Sequence, residues 1–500
     1  MSRRRKSEFH SLFGPILFAY GGSSLSGTQY PKGDTLTYVF YCLLLYNLIS
    51  QILSEYEDDD EYSDDEDDMS DDDDDSWKVR RSAIRALAAV VESSKHDPSK
   101  LWIDEYAWRK NKSATITVAG ALVNRTKERE ENCRVDIIDC FARLLSVTIQ
   151  AAKDGVVVLS SPDAMDTSST SVVIDLGTKF SPAIVKACEK QLGAKKGGER
   201  TKSSAMALLS VLSSSPGGVG GNEQIASVFT HIRPILSKGD DSAHHRKLSS
   251  GSKTLKLDAL CLVRTMITGE SGDIVHLKSA LLETLLTELC GAVQEDWYKV
   301  IAEALRVLAE VPRLLAKAWG SADDKSGKKE EMDKVAAALY ASIEPRLAAH
   351  DLDQEIKECA LQATASLLSV LHSSLSAEQT GRLLSLLLER LKNETTRIAA
   401  IKTLSSVVST GSTDDMDEGD SVDLSPILAE AVSELANLLR QQSRRVKQSA
   451  LESLDVVIKC NGGGSLDKAL YESVLKELGA IIVDSDLHIS HLSLYVPLKH

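Results

Sequence analysis

Few stretches of this chain combine residue types and spacing suited to chemistry. Residues 193–202, GAKKGGERTK, hold the glycines and lysines of a phosphate cradle. Such a loop reads G-x-x-x-x-G-K-[ST], because backbone N–H groups wrap the phosphates while the lysine neutralises them. Glu199 stands where that lysine is required. Residues 216–221, PGGVGG, lead into Asn222 and Glu223 rather than Lys-Ser or Lys-Thr. His244 and His245 lie in a Ser-rich stretch without a neighbouring cysteine, and His488 and His491, one helical turn apart, lack a third metal ligand. No G-x-S-x-G, H-E-x-x-H or kinase signature occurs. The expectation is therefore no catalytic, cofactor-binding or metal-binding residue, no cofactor, no small-molecule substrate, and a protein that is not an enzyme.

The eight cysteines form no C-x-x-C pair and are scattered along the 500 residues. They read as reduced thiols in helix cores of a cytoplasmic or nuclear protein, not as disulfides or a zinc site. Charge is concentrated in one place. Residues 55–75 carry 16 acidic residues and no basic one, and without them the net charge of −15 becomes +1. The run would repel phosphates, and no Lys/Arg stripe interleaves with aromatics, so a nucleic-acid partner is not expected. The run reads as a solvated, disordered insertion. It also suits a lure for a basic partner, or a substrate for acid-directed kinases at Ser63 and Ser70, each followed at once by acids. Residues 36–53 are 18 residues without a charge, short of the roughly 20 apolar residues of a membrane helix. Tyr, Asn, Ser and Gln interrupt them, so the segment is read as a buried or a membrane helix, with no membrane attachment expected.

The elements that must carry these residues follow from a repeat. VRRSAIRAL from Val79, VIAEALRVL from Val300 and VKQSALESL from Val446 share one template: apolar at i, Ala at i+4, apolar at i+5, Leu at i+8. IKECALQAT from Ile356 and TKSSAMALL from Thr201 follow it closely, and looser versions begin at Cys133, Leu257, Ile398 and Ile489. These offsets fall on one face of a 3.6-residue helix, with a small residue where a neighbour must approach closely. Successive anchors lie 42 to 68 residues apart, and the shortest gaps match the HEAT unit of about 40–47 residues. Each anchor helix follows another apolar-periodic helix, often started by a proline such as Pro182 or Pro426. Acids in the links, Asp296, Asp353 and Glu394, read as helix caps followed by Lys299, Lys357 and Arg397. The fold class is thus all-α: a HEAT/armadillo-like solenoid of antiparallel helix pairs. It divides into an unassigned segment 1–54, the acidic insertion 55–76 and a solenoid 77–500 of about nine repeats, truncated at its C-terminal end. Residues 155–176, 216–221, 239–251, 321–329 and 411–421 read as loops that interrupt it. Apolar faces left bare at its ends predict self-association.

Two motifs are more specific than the repeat. The acidic run passes into Trp77, Lys78, Val79, Arg80 and Arg81, and 121–137 contains Arg125, Lys127, Glu128, Arg129, Glu130, Glu131 and Asn132. This succession resembles the cullin-associated, neddylation-dissociated family, with Thr126 in place of that family's Phe. The resemblance covers an internal portion of such a protein. It implies a HEAT scaffold that binds the unmodified cullin–RING core, meaning cullin plus RING subunit, and lets substrate receptors exchange on SCF-type ubiquitin ligases. The alternative is another HEAT adaptor, a nuclear-transport receptor or phosphatase scaffold, because the fold alone does not separate these.

Overall fold

A computed structural model describes residues 47–50, 52, 76–107, 115–159, 172–194, 198–216, 218–237, 250–269, 279–319, 326–350, 353–410, 422–460, 467–483 and 486–496. The acidic run with Ser63 and Ser70, and the pair His244–His245, lie outside them.

The helices fall into two rows. One row holds α1 (Ser76–Ser93), α4 (Glu131–Lys153), α6 (Glu199–Ser213), α8 (Ser250–Thr268), α10 (Tyr298–Trp319), α12 (Gln354–Leu371), α14 (Arg397–Thr410), α16 (Arg444–Cys460) and α18 (Leu487–Tyr495). The other holds α3 (Val118–Arg125), α5 (Ser181–Gly193), α7 (Asn222–Leu236), α9 (Ser279–Val293), α11 (Ser326–Ala348), α13 (Ala377–Lys392), α15 (Ser425–Leu438) and α17 (Lys468–Ile482). The short α2 (Ser99–Ile103) stands between α1 and α3. Within a row each helix packs on the next, and each helix of the second row packs on its successor in the chain. One helix pair cannot bury its apolar face alone, and stacking closes the core along the whole array.

The repeat template explains the stacking. Ala83, Ala205, Ala304, Ala360 and Ala450 are all buried, as are the apolar residues that follow them: Ile84, Met206, Leu305, Leu361 and Leu451. Leu87, Leu209, Leu308 and Leu454 are fully buried at the last template position. Each buried Leu or Ile stabilises by about 1.5–3 kcal/mol, and alanine lets helix axes come close enough for neighbouring leucines to interlock. The first template position departs from the pattern. Val300 and Ile356 are buried, whereas Val79 is 54% exposed and Val446 only half-buried. Val79 sits one turn from the start of α1, where Arg80 takes the buried place instead.

Local chemistry sets the helix ends. Ser376 and Gln379 form a reciprocal capping box at α13, and Asp353 Oδ1 accepts from Glu355 N at 2.9 Å at α12. Lys357 and Arg397 reach back instead to carbonyls of His350 and Lys392, so in the Asp353 link acid and base serve two helices, whereas before Arg397 it is Asn393, not Glu394, that accepts, from Thr395 N at 3.0 Å. Pro182 and Pro426 occupy first turns.

Three segments differ from their reading as loops. Val157–Leu159 and Val172–Ile174 pair in parallel as β3 and β4, after the strands β1 (Tyr106–Ala107) and β2 (Thr115–Ile116), which pair antiparallel. Gly155, at φ +73°, turns the chain out of α4, and alternate burial of Val157 and Leu159 then seats β3 on that helix. Helices α8 and α11 begin at Ser250 and Ser326, inside stretches whose polar composition masks their helical start. Of residues 36–53, the described Leu48, Ile49 and Ile52 are buried in the solenoid core. No helix of the described residues is long and apolar enough to cross a membrane.

At α17 and α18 the apolar face is uncovered. Val483 and Leu487 are 82% and 83% exposed, with Leu475, Ile482 and Leu494 beside them in sequence. The chain is expected to self-associate through this face as concentration rises. V483D/L487D is expected to restore a monomer by light scattering, and an unchanged mass distribution counts against that face.

Candidate functional site

The two motif segments, some fifty residues apart in sequence, meet at one junction. Arg80 on α1 and Arg125 at the end of α3 converge on Glu128 in the α3–α4 turn. Arg80 Nη2 lies 3.3 Å from Glu128 Oε1 and Arg125 Nη2 lies 2.9 Å from Oε2. All three side chains are buried. The turn closes on itself through Arg134 Nη1, which donates to the Glu128 carbonyl at 2.7 Å. Asn132 Nδ2 donates to Glu130 Oε1 at 3.1 Å. The Cys133 thiol donates to the Trp77 carbonyl at 3.3 Å, tying the start of α4 to the start of α1.

The junction continues into the next pair. Thr201 Oγ1 donates to Glu131 Oε1 at 3.4 Å, and Arg200 Nη1 donates to Asn132 Oδ1 at 3.3 Å. Arg81 Nε donates to Asp136 Oδ2 at 2.8 Å; this bond holds the Arg81 guanidinium charged to higher pH than usual. Arg85 reaches the same oxygen at 3.1 Å. Of the predicted motif residues, Arg80 and Glu128 are buried and Trp77, Arg81, Glu130, Glu131 and Asn132 half-buried. Lys78, Val79, Lys127 and Arg129 are exposed. Arg80, Arg81, Glu128, Glu131 and Asn132 link neighbouring repeats, and Lys78, Val79, Lys127 and Arg129 are open to solvent.

Sequence reasoning missed a second ladder, along the other row. Gln191 Nε2 on α5 donates to the Thr126 carbonyl after α3 at 2.9 Å, and Arg346 Nη2 on α11 to Val293 O of α9 at 2.6 Å. Arg390 on α13 donates to carbonyls of Leu347, Ala348 and Ala349 at the end of α11. The signal was a polar donor in the last turn of α5, α11 and α13, visible only once their register is known.

Among the described residues no group of three His, Cys, Asp or Glu side chains is arranged to hold a metal. The seven described cysteines are free. Burial pushes the Cys133 thiol up to about 11 and that of Cys140 to about 12, so neither is a thiolate at neutral pH.

Stacked helix pairs, charge-locked junctions and exposed edges define a helical-repeat scaffold. Residues 222–364 match the family described as CAND1-like, TPR repeats. Mouse cullin-associated NEDD8-dissociated protein 2 is 33% identical over 439 residues, 88% of this chain and 30% of that protein. Cullin-associated NEDD8-dissociated protein 1 of Dictyostelium discoideum is 30% identical over 84% of this chain and 29% of its own length. The chain belongs to the cullin-associated NEDD8-dissociated family and spans about 30% of the length of these relatives. Kap95p, in a solved structure with RanGDP, covers 93% of this chain and 49% of its own at TM-score 0.55 and 10% identity, a likeness of fold alone.

Proposed function

We propose that this chain is a non-catalytic scaffold that binds cullin–RING complexes lacking their ubiquitin-like modifier and so governs receptor exchange on the ligase. The observation that carries the reading is the likeness of more than four-fifths of the chain to proteins named for cullin association and NEDD8 dissociation. The junction supports the family placement behind it, because Arg80 and Glu128, one from each motif, meet in a buried ion pair. Binding by a solenoid needs no covalent step: rigid stacked pairs present an extended surface, and exchange follows from overlap with a competing partner. The buried or half-buried free thiols suit a reducing compartment, cytoplasm or nucleus.

A pull-down of this chain against one cullin–RING complex, with and without the modifier, tests the reading. Retention of the unmodified form alone is expected. Equal retention of both, or of neither, removes selective cullin binding from this section of the solenoid.

A further inference from the structure

The edge of the solenoid where second-row helices turn into first-row helices is basic near its beginning. Of the described residues in 186–202, Lys186, Lys190, Arg200 and Lys202 are basic and Glu189 and Glu199 acidic, in a chain that is otherwise near neutral outside the acidic run. Lys186, Lys190 and His231 line one open cavity of about 400 Å³ between α5 and α7, with Glu189 on its wall. Gln191, next to Lys190, donates to the Thr126 carbonyl. This places exposed Lys127 and Arg129 on the same edge. Arg200 follows at the start of α6. Lys127, Lys186 and Lys190 form no ion pair with a described residue. The junction acids are engaged nearby: Glu128 by two arginines, Glu130 by Asn132 and Glu131 by Thr201.

The start of α1 opens onto this same edge. Ser76 Oγ accepts from Arg80 Nη1 at 2.8 Å, Arg80 reaches Glu128, and the Trp77 carbonyl meets Cys133. Residues 55–75, with their 16 acids, join the chain directly before Ser76, at the start of α1. Lys127 lies about one helix spacing from α1 and Lys190 about two, on the order of 20 Å at 8–10 Å per spacing. Twenty-one residues span at most about 70 Å extended, so reach does not limit the encounter. Tethering also raises the local concentration of the acids to the millimolar range, which favours an intramolecular partner over a free one.

We propose that the basic edge formed by Lys127, Lys186, Lys190 and His231 is a docking surface for acidic peptide, and that its occupant is the chain's own run 55–75. This stands whether or not the chain binds a cullin. It makes the run an internal competitor: an acidic segment of another protein must displace it before using the edge.

The test is zero-length carbodiimide cross-linking of the full chain, read by mass spectrometry on the monomer band. Cross-links from Asp and Glu of 55–75 are expected to concentrate on Lys127, Lys186 and Lys190. They should fall about tenfold or more in 1 M salt, where screening acts within about 3 Å. K127E/K186E/K190E changes only exposed side chains; it should lose the cross-links while its thermal unfolding is unchanged. Cross-links spread evenly to distant exposed lysines such as Lys402 and Lys476, or found only between molecules, overturn the proposal. A poly-aspartate peptide should bind a variant with neutralised 55–75 at least about tenfold more tightly than the native chain. Equal binding to both means the edge serves an acidic partner and not the run, and also overturns it.

Discussion

Replacing Glu128 with alanine is expected to lower stability by about 3–5 kcal/mol, because it removes the one carboxylate that two buried guanidinium groups share. Arg80 and Arg125 both face this carboxylate, with side chains 7% and 6% exposed, against 3% for Glu128. Removing one arginine leaves the carboxylate its other partner, so R80A and R125A should each cost less than E128A. A chain with all three replaced by apolar residues, R80M/R125M/E128L, is expected within about 1 kcal/mol of the native protein or above it, since desolvating the ions offsets much of their attraction. Urea unfolding of the four variants checks the ordering. If E128A costs no more than either arginine variant, the network does not carry the junction.

This ordering bears on what the motif residues are for. WKVRR and KEREEN identify the family in sequence, and identity markers invite the assumption of partner contact. Arg80 and Glu128 instead lie inside the molecule, joining α1 to the α3–α4 turn, with Glu131 and Asn132 passing the link to α6. In such a junction no single charge can change without leaving its partners buried and unmatched, which is how a structural constraint comes to look like a signature. The sequence could not reveal this, because Arg and Glu in a polar turn read as solvated until a helix from fifty residues upstream covers them.

The solenoid was legible for a different reason. Its core residues recur at short, fixed offsets within one helix, so Ala304, Leu305 and Leu308 announce themselves without knowledge of their neighbours. Features that depend on two helices at once were not legible. The β3–β4 pair joins Val157–Leu159 to Val172–Ile174 across a polar stretch, and its short Val-rich strands lack the length to signal a sheet. Val79 fits the template in sequence, yet its exposure depends on how α1 sits at the junction. Ser63 and Ser70, on the acidic run, lie outside the described residues and stay candidates on sequence pattern.

Arg390 tests whether the second row is coupled in the same way. Its side chain is buried, and its guanidinium donates to Leu347 O and Ala348 O, each at 2.9 Å, and to Ala349 O at 3.3 Å. The last carbonyls of a helix have no intrahelical partner, and a cation there also meets the negative end of the dipole. R390M keeps much of the apolar stem but takes the donors from these carbonyls, buried at Leu347 and half-buried at Ala348 and Ala349, and is expected to cost about 2–4 kcal/mol. R390K should recover only part of that, because an ammonium cannot fork across neighbouring carbonyls. In a stacked array the loss falls on one interface, between α11 and α13, while each repeat's own core is untouched. Unfolding of R390M is therefore expected to split into two transitions, with hydrogen exchange rising first at the end of α11 and in the last turn of α13. A single transition within about 0.5 kcal/mol of the native chain would show that leucine packing alone couples the repeats, and that the carbonyl ladder follows the stacking without holding it.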